Sequence, residues 1–341
     1  MAGRAAIGIP TEVLVAPDSF KGTFSALAVS EALQRGLALS GQAAELCPVA
    51  DGGEGTLSAL TRPLQLEQVE TMASDPLGRP IRATFGMAGN GVAVVEMAAA
   101  SGLALVAEEE RDAVAASSYG TGELIAAAIA AGAGTVYVAV GGSATTDGGQ
   151  GALQAIEDRG GVGAARLVVL CDVRTPFELA PATFAPQKGA SPAQVGKLER
   201  RLDALAVRLR RDPRGEPMTG AAGGLAGGLW SQFDAELVSG ASFVLSAVDF
   251  DARMRAARAV VTGEGRLDRQ SLVGKIVAEV ATRARQSGVP CHAVVGSNAL
   301  GSFDMRILDL QLVLEASTLA ELERAGAALG TAIQAENARG G

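Results

Sequence analysis

The chain has 341 residues, a length that suggests about two domains, and is 48% hydrophobic and 19% charged with 44 glycines, the composition of a folded globular protein. A formal net charge of −8 argues against a broad nucleic-acid footprint, so an anionic ligand would need a local cluster of Lys, Arg or backbone N–H groups. Apolar runs stay too short to span a bilayer: Val92 to Ala107 is broken by Glu96 and Ser101, and the first nine residues are too short for a signal-peptide core. The expected compartment is the cytoplasm.

Cys47, Cys171 and Cys291 are far apart and flanked by apolar residues, and read as small core residues. The single histidine, His292, leads into Ala293-Val294-Val295 and reads as a partly buried strand residue. A Ser-His-Asp triad or a histidine zinc site has little to be built from.

In chain order, strand-like runs end in polar glycine turns, and alanine-rich helical stretches follow many of them. Glu12 to Ala16 enters Pro17-Asp-Ser-Phe-Lys-Gly22, then a helix presenting Leu27, Ala28, Ala32, Leu33 and Leu37 on one face. Leu46 to Ala50 enters Asp51-Gly-Gly-Glu-Gly55 and a helical Thr56 to Leu60. Thr135 to Val140 enters Gly141-Gly-Ser-Ala-Thr-Thr-Asp-Gly-Gly149 and another helix. Ala259 to Thr262 enters a turn, Gly263-Glu-Gly-Arg-Leu-Asp268, with a helix from about Gly274 to Arg285; Ala293 to Val295 ends at Gly296-Ser-Asn298. This alternation predicts α/β layers with substantially parallel sheets, whose ligands bind beyond the carboxyl ends of the strands.

Those turns hold the chemistry. Lys21 supplies a positive charge, and Asp18 beside the Ser19 hydroxyl can accept or orient a proton. Asp51-Gly52-Gly53-Glu54 lets backbone approach a ligand and presents two carboxylates. Gly141, Gly142, Ser143 and Thr145 form a candidate anion nest, and Gly220 to Gly228 reads equally as a second phosphate-facing loop or as close helix packing. Glu264, Arg266, Asp268 and Lys275 mix carboxylates and cations at a helix entrance. Walker A, Rossmann and protein-kinase motifs are absent from the sequence. The residues by themselves indicate an α/β enzyme handling a small anionic ligand, and phosphoryl transfer fits because it needs cations, carboxylates and backbone donors rather than a histidine.

Read in order, Ala16-Pro-Asp-Ser-Phe-Lys-Gly22, Pro48-Val-Ala-Asp-Gly-Gly-Glu-Gly55 and Glu96-Met-Ala-Ala-Ala-Ser-Gly-Leu103 resemble the bacterial type I glycerate kinase family. Ser118-Tyr-Gly-Thr-Gly-Glu-Leu124, Gly141 to Gly149, Cys171-Asp-Val173, Phe184-Ala-Pro-Gln-Lys-Gly-Ala190, Ala221-Ala-Gly-Gly224, Thr262 to Asp268 and Gly274-Lys275 continue the match. The resemblance implies ATP-dependent, Mg²⁺-requiring phosphorylation of D-glycerate, mainly to 2-phosphoglycerate. It also implies a Rossmann/flavodoxin-like domain built from both chain ends, residues 1–75 plus 241–341, with an inserted α/β domain at 76–240. The chain departs from the family pattern in an abbreviated segment between Gln154 and Leu167, in Thr146 where asparagine is expected, and in Arg174-Thr-Pro-Phe177.

The expected roles follow from this combination. Lys21 and Ser19 bind the acceptor's carboxylate or the moving phosphate, with Asp18 or Asp51 orienting the attacking hydroxyl. The Gly141–Thr145 segment holds nucleotide phosphates; Asp147, Glu264 and Asp268 are the metal candidates; Lys188, Arg266 and Lys275 neutralise charge. A kinase of another small hydroxy acid, and a catalytically silent regulator that binds glycerate or nucleotide, are the alternative readings.

Overall fold

The computed structural model describes residues 12–171, 173–272 and 275–340. The amino-terminal residues read for a signal peptide, and Asp172 and Gly274 of the motifs, lie outside the described residues. In chain order the strands are β1 Glu12–Pro17, β2 Ala43–Leu46, β3 Glu67–Ser74, β4 Pro80–Met87, β5 Val92–Glu96, β6 Thr135–Ala139, β7 Arg166–Cys171, β8 Glu236–Ser239, β9 Ala259–Leu267, β10 Cys291–Asn298 and β11 Val313–Glu315.

The chain divides into two compact units, one of Met1–Ala50 with Leu245–Gly341 and one of Asp51–Val244. The first contains a five-stranded parallel sheet in the order β11-β10-β9-β1-β2. Counted within the unit this is 2-1-3-4-5, the flavodoxin-like doubly wound order. Its central strands are apolar on both faces because helices cover both sides: Val13, Leu14, Val15 and Ala16 of β1 are fully buried. The helices Ala26–Leu39 and Leu319–Gly340 pack on it through Val29, Leu33, Leu37, Leu322, Leu329 and Ile333. Ser25 caps the first of these helices by accepting the Ala28 N–H. Leu27, expected on its buried face, is exposed, since the packed stripe starts at Val29.

The second unit holds a six-stranded sheet, β3-β4-β5-β6-β7-β8, antiparallel through β5 and parallel from β5 to β8. Residues 51–75, grouped on sequence with the chain ends, fall in this unit because β3 pairs along its whole length with β4. Asp75-Pro-Leu-Gly78 is the turn between them rather than a crossing between domains: Asp75 accepts the Leu77 and Arg79 N–H groups at 2.8 Å each. The core of this unit joins Phe85, Val95, Met97, Leu124, Ile125, Val138, Ile156 and Leu225.

Two further expectations are corrected. The second strand is Ala43–Leu46, ending where the sequence reading begins it. Gly263 to Leu267 is not a turn but the second half of β9, paired with β10 as far as Asn298. Its glycines serve backbone packing: a β-carbon on Gly263 would lie 2.1 Å from the Val294 carbonyl oxygen.

Candidate functional site

In the first unit, β1 turns to β2 on one side while β9, β10 and β11 extend the sheet on the other. The reversal between β1 and β9 is a topological switch point, where diverging connections open a crevice beyond the strand ends. A pocket of about 410 Å³ lies there, lined by Asp18, Ser19, Phe20, Lys21 and Thr23 after β1, and by Glu264, Gly265, Arg266 and Asp268 of β9 and just beyond. Lys275, Gly296, Ser297 and Ser317 complete the lining. The sequence-predicted Asp18, Ser19, Lys21, Glu264, Arg266, Asp268 and Lys275 are therefore brought together in one unit.

Glu264 and Arg266 share one face of β9, the first buried and the second, nearer the strand end, exposed, with the Arg266 guanidinium 3.5 Å from the Asp268 carboxylate. Asp18 is buried and accepts the N–H of Ser19 at 2.6 Å, which fixes its carboxylate at the mouth of β1. The Ser19 hydroxyl oxygen is buried with no hydrogen-bond partner among the described residues. A buried hydroxyl in that state costs free energy unless a ligand or water completes it. Lys21 is exposed.

The second unit gathers the other predicted residues. The Asp51–Gly55 turn and the loop after β6 meet backbone to backbone: the Gly141 N–H donates to the Gly52 carbonyl at 3.3 Å. A β-carbon on Gly141 would lie 2.4 Å from the Gly53 Cα, so only glycine permits this approach. Asp51 is buried and accepts the Gly53 N–H at 3.0 Å. Glu54 is exposed. The loop itself is braced from a second side, because Leu103 N–H donates to the Gly142 carbonyl and Ala144 N–H to the Ser101 carbonyl, both at 2.9 Å.

Three residues behave differently from, or were missed by, the sequence reading. Asp147, expected as a metal ligand, has its carboxylate filled by protein donors. Oδ2 accepts from the Ser118 N–H at 2.9 Å, the Ser118 hydroxyl at 2.8 Å and the Gly151 N–H at 3.1 Å, and Oδ1 accepts from the Gly149 N–H at 3.0 Å. It fastens the loop to the starts of two helices, Tyr119–Ala130 and Gln150–Asp158. Lys188, expected to face the reacting groups, is itself buried, donating to Ser143 Oγ at 2.8 Å and to the Thr145 carbonyl at 2.5 Å. Burial holds its ammonium down at about 7, against the attraction of Asp147. Glu96 was not singled out, although it opens a quoted motif. Its carboxylate accepts the Leu57 N–H at 2.7 Å, at the amino end of the helix Thr56–Thr61. Desolvation raises its pKa, opposed by hydrogen bonds from the Leu57, Gly55 and Thr56 amides and reinforced by Glu54. The signal for it was an acidic residue closing the apolar strand Val92–Glu96, where burial requires a partner.

The Gly220–Gly228 segment resolves in favour of packing. It is almost wholly buried, and Gly223, at φ +63, would carry a β-carbon 2.1 Å from the Thr145 carbonyl oxygen. It supports the 141–149 loop from behind: the Gly148 N–H donates to the Gly223 carbonyl at 3.0 Å. His292 is fully buried in β10. Among the described residues no cluster of three or more His, Cys, Asp or Glu side chains could hold a metal by protein ligands alone, and no helix is long and apolar enough to cross a membrane.

The sequence profile of the Glycerate kinase family matches residues 13–159 and 159–329. The glycerate kinase of Bacillus subtilis (strain 168) is 39% identical over 84% of this chain and 85% of its own length. The glycerate 2-kinase of Escherichia coli (strain K12) is 36% identical over 84% and 85%. A crystal structure of a candidate glycerate kinase 2 from Salmonella typhimurium LT2 superposes with a TM-score of 0.77 at 30% identity, covering 96% of this chain and 99% of that one. The chain belongs to the glycerate kinase family.

Proposed function

We propose that this chain transfers the γ-phosphoryl group of ATP to D-glycerate, with Mg²⁺ bound, and yields 2-phosphoglycerate. The observation that carries the reading is the switch-point pocket, which gathers Lys21, Arg266 and Lys275 with Asp18, Glu264 and Asp268. Phosphoryl transfer asks a protein chiefly for positioning and charge stabilisation, and this pocket supplies both from rigid strand ends.

Lys21 and the Ser19 hydroxyl bind the glycerate carboxylate or the moving phosphate. Asp18 accepts a hydrogen bond from the attacking hydroxyl and aligns it; Asp51 is the second candidate for that role. Arg266 and Lys275 offset the charge of the transferred group. The Gly141–Thr145 backbone and hydroxyls bind nucleotide phosphates, as a nest of amides does. Glu264 and Asp268 fit Mg²⁺, which takes one or two carboxylates and completes its shell with water and phosphate oxygens. When bound, the ion neutralises phosphate charge. Asp147 is left out of that set because four protein donors already hold its carboxylate. The relative named glycerate 2-kinase supports the 2-hydroxyl as acceptor, and this pair of substrates suits a cytoplasmic enzyme.

The test is ADP release by the purified protein with D-glycerate, ATP and Mg²⁺, with the product's phosphate located by ³¹P NMR. Glycerate-dependent turnover to 2-phosphoglycerate is the expected result. Turnover with another hydroxy acid only, or binding without turnover, would overturn the proposal.

A further inference from the structure

Lys188 is out of place by burial alone. It ends the 3₁₀ turn Pro186–Lys188, is 2% exposed, and forms no salt bridge among the described residues. Burying an ammonium costs several kcal/mol, and a hydrocarbon of equal length would fill the same space without that cost. What it contacts is the anion nest proposed above: Ser143 Oγ and the Thr145 carbonyl, from the inside. The loop is otherwise incomplete as a set of polar groups, since the Thr145 and Thr146 hydroxyls are buried without a hydrogen-bond partner among the described residues. Charges facing Lys188 are few: Arg111 and Asp112 line the small cavity beside it, and Asp147 attracts it.

We infer that Lys188 is a positioning residue that never touches substrate: from inside the unit it shapes the Ser143–Thr145 loop and lends it the charge that receives an anionic group. The inference rests on the reading of that loop as an anion site and names how it works. Its linkage has a definite sign. With burial holding the ammonium near 7, the group is mostly neutral at about pH 8. An anion arriving on the loop favours the charged form, so binding takes up a proton. The anion is either a nucleotide phosphate or the glycerate carboxylate, and the two can be told apart.

Isothermal titration calorimetry at about pH 8, in two buffers of different ionisation enthalpy, measures the linked proton. At that pH the terminal phosphate of ATP is already ionised and the carboxylate of glycerate is too. ATP and D-glycerate are titrated separately into wild-type protein and Lys188→Met. We expect uptake of roughly half a proton or more with one of the two, identifying the anion on the loop, and none with the variant. The KM for that same substrate should rise by up to about tenfold per pH unit above neutrality in the wild type and stay flat in Lys188→Met. Lys188→Arg, which keeps a charge that does not titrate, should bind without proton uptake.

No proton uptake by the wild type with either substrate would overturn the inference, and that result needs no variant to fold. Uptake that persists in Lys188→Met would overturn it equally. The two readings fail separately. Turnover to 2-phosphoglycerate without a linked proton leaves the function and sinks the role of Lys188, whereas Lys188-linked binding without turnover does the reverse.

Discussion

Replacing Asp147 separates a structural clamp from a metal ligand by two measurements that move in opposite ways. Its carboxylate accepts four hydrogen bonds, three at Oδ2 and one at Oδ1, all from groups held in place by backbone. In Asp147→Asn the amide oxygen can keep the three donors of Ser118 and Gly151, but the amide nitrogen then faces the Gly149 N–H. One charge-assisted bond is lost and three are weakened, which we set at about 2–3 kcal/mol. Asp147→Ala leaves four donors, three of them buried, with no acceptor; at about 1–3 kcal/mol each, reduced by water entry and non-additivity, the cost is about 4–6 kcal/mol. For a unit of roughly 200 residues each kcal/mol lowers Tm by about 2–4 °C. The expected drops are therefore about 5–10 °C for Asn and about 10–20 °C for Ala. Scanning calorimetry without Mg²⁺ gives the melting temperature, and glycerate-dependent turnover against Mg²⁺ concentration gives the metal requirement. The clamp predicts a lower Tm in both variants and an unchanged Mg²⁺ requirement in the Asn protein. An Asn protein melting within about 1 °C of wild type, with its Mg²⁺ requirement raised about tenfold, would refute the reasoning.

Three other outcomes follow from the same geometry. Lys21→Ala removes an exposed charge from the switch-point pocket. Steady-state kinetics should show kcat/KM lower by about 10²–10³ with the melting temperature unchanged, as for the loss of one transition-state donor. For Glu96 the sign runs with its raised pKa. The stabilising, protonated form is fully present below the unfolded value and lost as pH rises through the higher folded value, so the stability of Glu96→Gln relative to wild type should increase as pH rises above 4.5. Thermal melts across that range check it, and a constant difference would show that the carboxyl does not titrate on folding. Cys47 and Cys291 are buried, which pushes their thiols up to about 11 and about 12. At neutral pH both should react with a thiol-specific reagent only after unfolding, and rapid modification of the native protein would contradict their burial.

Much of this protein was legible from local pattern. The strands Glu12–Pro17 and Thr135–Ala139 and the helix after Thr56 stand where apolar period and glycine turns placed them. A strand buried on both faces must be apolar throughout, and a chain leaving a parallel strand must turn. Motif order along the chain was enough to indicate the family, because such turns recur as units. The sequence also determined which chemical groups were available: a histidine-poor, cysteine-poor chain has only carboxylates, cations, hydroxyls and amides to work with.

Only the tertiary structure decided which of those groups line a pocket and which are held within the fold. Asp147 and Glu264 are both acidic residues in glycine-rich motifs, yet one is consumed by amides and the other lines a pocket. Gly263 to Leu267 reads as a turn by composition but is strand, because β10 lies alongside to pair with it. Residues 51–75 belong with the second unit because β4, later in the chain, completes β3. Lys188 becomes a buried support rather than a charge facing the reacting groups, through contacts 43 and 45 residues away. In each case the deciding quantity is whether a polar group's partner is protein or solvent. That depends on segments distant in sequence meeting within hydrogen-bonding distance, which local periodicity does not encode.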